Sequence, residues 1–394
     1  MIPVWLRLAI GGGATLLVGM GIGRFSYTAL IPAIILDGAL SEAQAAYVGA
    51  FNLGGYLAGA LGVPMLRRRI ETVLVLKAAL LISLLCLVAS IAPLGFVWLA
   101  WWRFLVGATV AVMMILSLAL VTTSVPPDRL GKATGVAFTG VGIAILLSGT
   151  LVPVLLEYGL WAAWTGLAGV GALGVAVGWW GLSPASGPDV AVQKATPRPA
   201  VTMAIARLMI AQGLFSIGLV PHSIYWVDYI ARGLDLGIQQ GGAQWVLVGI
   251  GAVGGAYLCG WLADRIGFAA ALVLMFSVLA VGIAIPVLWP TWPVLIASSL
   301  IFGAQPGLSA VISGRARQVV GARDMAHVWR WMVLAVGVGQ TVAGYALVSL
   351  YNATGSYTPV FLAGAGAMAL GAVLSWPRRA TDPVPPRRPD GRRR

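Results

Sequence analysis

Arg24 lies inside an apolar run that contains no other charged residue between Leu8 and Leu36. An apolar run of this length is typical of a helix that spans a membrane. A charged side chain near the centre of a bilayer costs at least about 2.5 kcal/mol on insertion scales, so it is expected to face protein or water and to meet a partner. The stretch from Gly19 to Pro32 therefore predicts a membrane span that carries a functional residue.

The composition as a whole is that of an integral membrane protein. Hydrophobic residues make up 59% of the chain and charged residues 9%, whereas an average soluble domain has about 25% charged residues. The formal net charge of +13 does not indicate nucleic-acid binding, because the basic residues fall in alternate gaps between apolar runs, as the positive-inside rule requires. The remaining gaps contain one basic residue, Arg232. We therefore expect a multi-pass protein of a bacterial inner membrane, with both termini in the cytoplasm.

Apolar runs separated by polar gaps predict twelve membrane-spanning helices in an all-α chain. They cover roughly 5–36, 43–66, 72–91, 96–121, 133–156, 160–182, 202–230, 238–263, 268–288, 294–313, 328–351 and 357–376. This pattern divides the chain into a six-helix half, 1–182, a linker, 183–201, a second six-helix half, 202–376, and a basic tail, 377–394. The tail is rich in Pro and Arg, a composition that predicts disorder.

The two halves resemble each other when the sequence is shifted by about two hundred residues. Tyr56-Leu-Ala-Gly59 recurs as Tyr257-Leu-Cys-Gly260, and Arg103-Phe-Leu-Val-Gly107 aligns with Gly303-Ala-Gln-Pro-Gly307. Two halves of six spans in the same orientation imply a pseudo-twofold axis along the membrane normal. Such architectures place the ligand site between the halves, near the midplane of the bilayer.

Two motifs resemble those of the major facilitator superfamily of secondary transporters. Gly260-Trp-Leu-Ala-Asp264-Arg265-Ile-Gly267, after the eighth span, resembles the loop motif of that superfamily, and Arg103 with Gly107 resembles its fourth-helix motif. The first-half copy of the loop motif departs from the pattern, because Val63 and Pro64 stand where the acidic and basic residues would be. The resemblance implies the major facilitator fold, transport by alternating access, a gating role for Gly260, Asp264, Arg265 and Gly267, and proton coupling or helix packing for Arg103.

A narrower resemblance begins at the opening stretch. Gly21-Ile-Gly23-Arg24-Phe25-Ser-Tyr27, followed by Asn52-Leu-Gly-Gly-Tyr56-Leu-Ala-Gly59 and Arg103-Phe104, is similar to the YbfB/YjiJ-type branch of the superfamily. The superfamily resemblance covers nearly the whole chain, whereas the similarity to this branch rests on the first four spans. It implies a fold and a mechanism class without naming a ligand.

On the first helix, Arg24, Tyr27 and Thr28 share one face, and a stripe of glycines, Gly12, Gly19 and Gly23, lies about a third of a turn away. We expect the glycine stripe to pack against another helix and the polar face to line the cavity. One interpretation is that Arg24 binds an anionic group of the substrate, above all a carboxylate, through charge-assisted hydrogen bonds. The other is a structural arginine held by a backbone carbonyl or by Asp228.

The seventh span concentrates polar and aromatic groups at a depth similar to that of Arg24. His222, Tyr225 and Trp226 share a helix face, which predicts a substrate-binding surface, and Asp228 follows them. His222 and Asp228 are predicted proton carriers, since an imidazole titrates near neutral pH and a carboxylate can take up a proton. The alternative is a fixed salt bridge of Asp228 with Arg24, Arg103 or Arg232, and a hydrogen-bonded histidine in the core.

Two neutral polar residues, Gln305 in the tenth span and Gln340 in the eleventh, complete the candidate substrate-binding set. They could orient a substrate from the second half, or they could form hydrogen bonds between helices, which contribute about 0.6 kcal/mol each in membranes. Both interpretations remain open from the sequence.

The chain contains no motif for a cofactor, a catalytic metal or an enzyme site. Gly249-Ile-Gly251-Ala-Val-Gly254 matches a nucleotide-binding pattern but lies in an apolar span without a preceding strand. Cys86 and Cys259 stand alone in apolar runs, and with two histidines a metal site is not expected.

We therefore predict a monomeric secondary transporter in the lipid bilayer that moves a small organic anion or zwitterion by proton-coupled alternating access. The alternatives are an exporter of hydrophobic or cationic compounds, with Asp228 as the partner of the cation, and a non-transporting membrane receptor or scaffold. No cofactor and no enzymatic activity are expected.

Overall fold

The computed structural model describes residues 2–126, 129–184 and 202–376. Most of the predicted linker, from residue 185 onward, and the predicted tail from residue 377 lie outside these residues. Within the described ranges the chain is helical and has no strand. The expected all-α architecture is confirmed.

Ten helices in these ranges are long and apolar enough to span a membrane, and counting each of two bent pairs as one span gives twelve. We number the spans α1 to α12. They are α1 Val4–Leu36, α2 Glu42–Arg67, α3 Thr72–Ala89, α4 Gly95–Ser124, α5 Leu130–Leu156, α6 Leu160–Leu182, α7 Met203–Gly233, α8 Gly237–Ile266, α9 Phe268–Leu288, α10 Trp292–Gly303 with Gln305–Gly321, α11 Val328–Thr354 and α12 Tyr357–Ser375. The two bent spans are α8 and α10, with bends of 46° and 40°.

Local sequence signals set several helix boundaries. Ser41 caps α2 by accepting a hydrogen bond from the backbone of Gln44, whose side chain bonds back to the backbone of Ser41. Gly321 separates α10 from α11 with φ of 80° and ψ of 170°, a conformation that glycine adopts without steric cost. The chain therefore changes direction at residue 321 although helical hydrogen bonds continue on both sides.

Both halves begin and end at the same end of the molecule, which we call the terminal end. Arg7, at the start of α1, donates to the carbonyl of Trp180 near the end of α6. Arg207, at the start of α7, donates to the carbonyl of Trp376, which follows α12. The halves meet where α1 packs on α7, α2 on α11, and α5 on α8.

Matching glycine contacts relate the two halves by an internal repeat. A Cβ at Gly107 of α4 would lie 1.9 Å from the carbonyl oxygen of Asn52 in α2, and one at Gly303 of α10 would lie 2.2 Å from that of Val248 in α8. Each residue of the second contact follows its counterpart by 196 positions. The sequence alignment of Gly107 with Gly307 is therefore wrong by one helical turn, because backbone approach sets the register and a short sequence match does not record it.

Candidate functional site

The glycine stripe of α1 packs against α4, as the sequence predicts. Gly12, Gly19 and Gly23 face Val121, Met113 and Val106, respectively, and a Cβ at Gly19 would lie 2.6 Å from the Met113 side chain. The stretch Leu17–Phe25 is π-helical rather than α-helical. Such segments are rare and frequently occur at functional sites. This local geometry and the close approach to α4 together fix the direction in which Arg24 leaves the helix.

Arg24 bridges the two halves of the protein. Its residue is 6% exposed, and its Nη1 donates a 3.0 Å hydrogen bond to Oε1 of Gln340 in α11. Its Nε and Nη2 have no hydrogen-bond partner among the described residues. The guanidinium carbon lies 5.4 Å from the ring centroid of Phe25 and 6.0 Å from that of Tyr56. The structure thus brings the predicted residues Arg24 and Gln340 together. The guanidinium of Arg24 lies where the two halves meet, and one of its three nitrogens has a hydrogen-bond partner among the described residues.

Arg103 lies behind Arg24, within the first half. It is 1% exposed, its Nη2 lies 3.4 Å from the carbonyl oxygen of Arg24, and its guanidinium carbon lies 4.8 Å from the ring centroid of Tyr27. Its own carbonyl accepts from the Asn52 side chain at 3.0 Å. Arg103 therefore ties α4 to α1 and α2 through backbone contacts and supports the segment that carries Arg24.

Tyr27 and Thr28 are engaged in contacts between helices. The hydroxyl of Tyr27 donates to the carbonyl of Ala45 in α2 at 2.9 Å. The hydroxyl of Thr28 donates to the carbonyl of Ser223, across the interface between the halves. These two members of the predicted set follow Arg24 in α1 and anchor that helix to α2 of the first half and to α7 of the second half.

Asp228 pairs with Arg232 and not with Arg24 or Arg103. Nε and Nη2 of Arg232 donate to Oδ1 and Oδ2 of Asp228 at 2.6 and 2.9 Å, and the hydroxyl of Tyr357 donates to Oδ2 at 2.7 Å. The Asp228 side chain is 2% exposed. Of the arginine partners that the sequence left open for Asp228, the structure shows Arg232, four residues further along α7.

This ion pair continues into the first half. Nη1 of Arg232 donates to Oε1 of Glu42 at 2.6 Å, and the hydroxyl of Tyr351 donates to Oε2 of Glu42 at 3.3 Å. We call Glu42, Asp228, Arg232, Tyr351 and Tyr357 the latch, and the end of the molecule where they lie the latch end. The latch connects the start of α2 with the ends of α7 and α11 and the start of α12.

His222 is enclosed by aromatic rings of the second half. Its ring stacks on Trp226 and Phe302 at centroid distances of 4.4 and 4.5 Å, and its Nε2 lies 2.9 Å from the hydroxyl of Ser298. Because Ser298 donates its own proton to the carbonyl of Gly282 at 2.6 Å, it accepts from Nε2–H of His222. His222 is therefore held in a fixed orientation away from the Arg24 guanidinium.

The remaining predicted substrate-binding residues lie apart from Arg24 on the second half. Trp226 donates through Nε1 to the hydroxyl of Ser299 at 3.0 Å, and the Tyr225 ring lies 4.9 Å from that of Tyr351 in the latch. Gln305 is half-buried at the bend of α10. The predicted substrate-binding residues are thus not gathered at one place: Arg24 pairs with Gln340, Tyr225 lies beside the latch, and Trp226 stacks on His222.

The predicted gating motif ends α8 at the terminal end. The Arg265 guanidinium lies 4.5 Å from the Trp261 ring centroid, Asp264 is exposed, and Gly267 turns the chain into α9 with φ of 85°. A Cβ at Gly260 would meet no atom within 4 Å. The gating role of this motif remains a prediction.

An apolar cavity of about 360 Å³ lies away from Arg24, between α8, α9 and α10. Its lining includes Leu258, Cys259, Leu274 and Leu300 and has no charged side chain. Leu258 and Leu274 are 60% and 45% exposed on the outside of the helix bundle. This cavity therefore suits hydrocarbon and offers nothing to fix a charged solute.

Sequence reasoning missed Glu42, Tyr351 and Tyr357. Glu42 follows the helix cap Ser41. An acidic residue in the first turn of a helix is favourable by itself, so the sequence did not indicate a further role for Glu42. A signal was nevertheless present, since Arg232 is the one basic residue on its side of the predicted membrane. An acidic residue at the same end was its natural partner.

Comparisons with known proteins concern the family and the fold of the chain. A family model described as "Uncharacterised MFS-type transporter YbfB" matches residues 16–376. Among solved structures, the chain is similar to the crystal structure of a mutant of the peptide transporter POT, with a TM-score of 0.72, 14% sequence identity and coverage of 92% of this chain and 93% of that chain. At this identity the likeness concerns the fold. No curated protein sequence matches the chain.

Proposed function

The chain belongs to the YbfB family of MFS-type transporters, and from this premise we propose that it carries a small organic anion or zwitterion by proton-coupled alternating access. The family and the fold are those of secondary transporters. The observation that carries the proposal is the buried guanidinium of Arg24, which contacts Gln340 of the opposite half and has two nitrogens without a partner among the described residues. A buried cation at the interface of two moving halves is suited to bind an anion and to sense its presence.

Alternating access requires a site that is reached from one side at a time. At the latch end Arg232 joins the halves through Glu42, and close contacts continue inward, for example between Thr341 and the carbonyl of Leu53. We infer that the two halves are closed against each other at the latch end in this state.

Proton coupling is assigned first to Asp228. Protonation would remove the charge that holds Arg232 in its two-nitrogen contact, and Arg232 is also the residue that binds Glu42 across the halves. Loss of the contact between Asp228 and Arg232 would therefore weaken the latch as a whole. His222 and Arg103 keep supporting roles in this scheme, His222 through its hydrogen bond to Ser298 and Arg103 through the carbonyl of Arg24.

The geometry gives less support to export of cations. Such a substrate needs an available carboxylate, and Asp228 already binds Arg232 and Tyr357. A non-transporting receptor would not need a charged contact that joins the two halves, as Arg232 does with Glu42. The protein is taken to act as a monomer in a bacterial inner membrane.

Transport by purified protein in proteoliposomes tests the proposal. Arg24→Ala is expected to abolish uptake of carboxylates and amino acids, whereas Arg7→Ala, which alters an arginine outside the site, is expected to retain it. Both variants are first compared by size-exclusion chromatography to establish folding. Normal transport of every accepted substrate by Arg24→Ala would overturn the assignment, and accumulation of cations alone would favour the exporter.

Proton coupling is tested separately with Asp228→Asn. The neutral amide is expected to keep exchange of labelled substrate across the liposome membrane but to lose uphill uptake driven by a pH gradient. Arg7→Lys, which alters an arginine outside the site, serves as the control. Gradient-driven accumulation at the wild-type level in Asp228→Asn would remove this residue from the coupling scheme.

A further inference from the structure

We propose that the Arg24 site selects an organic carboxylate that has an apolar, aromatic body and lacks an ammonium group. This inference rests on the proposed function, which leaves anions and zwitterions open, and it excludes the zwitterion. It depends on which edge of the Arg24 guanidinium is free, on where the nearby acidic groups are engaged, and on what surrounds the free edge.

The free nitrogens of Arg24 form one edge of its guanidinium. Nη1 is used by Gln340, and the two nitrogens without a partner among the described residues are Nε and Nη2. In Arg232 the same Nε and Nη2 edge holds both carboxylate oxygens of Asp228, at 2.6 and 2.9 Å. The protein thus contains its own example of a carboxylate bound to that edge. Arg24 has the equivalent edge without a partner among the described residues, and a planar carboxylate matches its two parallel N–H groups.

No acidic side chain among the described residues pairs with Arg24. Asp228 is the acid buried within the described spans, and its two oxygens are taken by Arg232 and Tyr357. A buried arginine without a counter-ion is costly in a membrane protein. A substrate carboxylate that lies on the free edge would provide the missing charge and satisfy both nitrogens at once.

The same engagement of acids argues against an ammonium group on the substrate. Glu42, which reaches from the first half to the second, binds Arg232 and Tyr351. The partner that Arg24 has is an amide oxygen, already used in a 3.0 Å hydrogen bond. An α-amino group bound beside Arg24 would therefore be a second cation without a counter-ion, and an unpaired charge removed from water is strongly penalised.

Aromatic rings of the first half lie beside the guanidinium, and one of them contacts a ring of the second half. Phe25 and Tyr56 lie within 6.0 Å of it, and the Phe25 ring packs edge-on against Trp245 of α8 with a centroid distance of 6.1 Å. Trp245 is fully buried, and its Nε1–H has no partner among the described residues. These groups offer apolar faces and hydrogen-bond donors, which suit an aromatic acid better than a sugar or a peptide backbone.

Three probes that share one aromatic body separate the possibilities. They are 3-phenylpropionate, L-phenylalanine, which adds an α-ammonium group, and 2-phenylethylamine, which keeps the amine and lacks the carboxylate. Binding to the purified full chain in detergent is measured by isothermal titration calorimetry. We expect 3-phenylpropionate to bind at least about tenfold more tightly than L-phenylalanine, because an unpaired buried polar group is a strong basis for rejection, and we expect no binding of 2-phenylethylamine.

Variants connect the preference to Arg24. Arg24→Lys keeps the positive charge but lacks the two-nitrogen edge, so it is expected to weaken binding of 3-phenylpropionate at least about tenfold. Gln340→Ala leaves the edge intact and is expected to have a smaller effect. Arg7→Ala is the control and should bind as the wild type does. If Arg24→Lys fails to fold, the ratio between the first two probes in the wild type and in Gln340→Ala still decides the question.

The outcomes distinguish this inference from the proposed function. Equal or tighter binding of L-phenylalanine, binding of the amine, or binding of none of the three probes overturns the inference. Arg24-dependent transport of L-phenylalanine with no effect of 3-phenylpropionate would do so while leaving the proposed function intact. Arg24-dependent binding of 3-phenylpropionate without transport of any substrate would support the site and overturn the proposed function.

Discussion

Replacing Arg232 by glutamine should destabilise the protein far more than replacing Glu42, although the two side chains share a 2.6 Å ion pair. Glu42 is 51% exposed, and ion pairs exposed to water contribute about 0–1 kcal/mol. Asp228 is 2% exposed, and removing one partner of a buried pair costs about 3–5 kcal/mol, since the other charge is left uncompensated. The Arg232 side chain keeps 16% exposure, and Tyr357 still donates to Asp228 in the variant. We therefore expect Arg232→Gln to lower the free energy of unfolding by about 3 kcal/mol, the lower end of this range.

The free energy of unfolding is measured for each variant by titrating mixed micelles with SDS and following tryptophan fluorescence. Glu42→Gln should change it by less than about 1 kcal/mol. The double variant Asp228→Asn with Arg232→Gln should regain most of what Arg232→Gln loses, because it leaves no buried charge unpaired. Equal costs for Glu42→Gln and Arg232→Gln, or a double variant whose cost is the sum of its parts, would refute the assignment of the buried pair.

Three further variants follow from contacts described above. Gly107→Val should prevent stable folding, since a Cβ there would lie 1.9 Å from a backbone oxygen, whereas Gly62→Ala, in open space, should fold normally; yields of monodisperse protein decide between them. Gln340→Glu supplies Arg24 with an internal carboxylate, so calorimetry should find weaker binding of 3-phenylpropionate, and tighter binding would contradict this. Tyr357→Phe removes one charge-assisted hydrogen bond and should cost about 1.5–3 kcal/mol in the same unfolding titration; an unchanged value would count against that bond.

The spans and the repeat were accessible from the sequence because they depend on local composition. A helix that spans a bilayer needs mostly apolar side chains, because polar side chains are costly in hydrocarbon. The apolar runs of the sequence therefore predict the spans directly. Arg24 was identified for the same reason, since a single charged residue in an apolar run can be recognised without knowing which residues pack against it. The glycine stripe of α1 was likewise predicted, and Gly19 does pack on α4.

The partners of these residues were not accessible, because they come from distant parts of the chain. Arg24 meets Gln340, 316 positions away, and Glu42 meets Arg232, 190 positions away. The sequence left Asp228 with three possible arginine partners. Which one it takes depends on the rotation of α7 and its approach to α2, and neither is encoded in periodicity alone.

The sequence by itself determined that this chain is a helical membrane protein built from two related halves, with an arginine deep in its first span. The free energy of placing side chains in hydrocarbon decides those features one segment at a time. Only the tertiary structure decided that Asp228 belongs to the latch and that one guanidinium edge of Arg24 has no partner among the described residues. A salt bridge requires its charged atoms to lie within about 4 Å of each other, and the packing of distant helices sets which charges come that close.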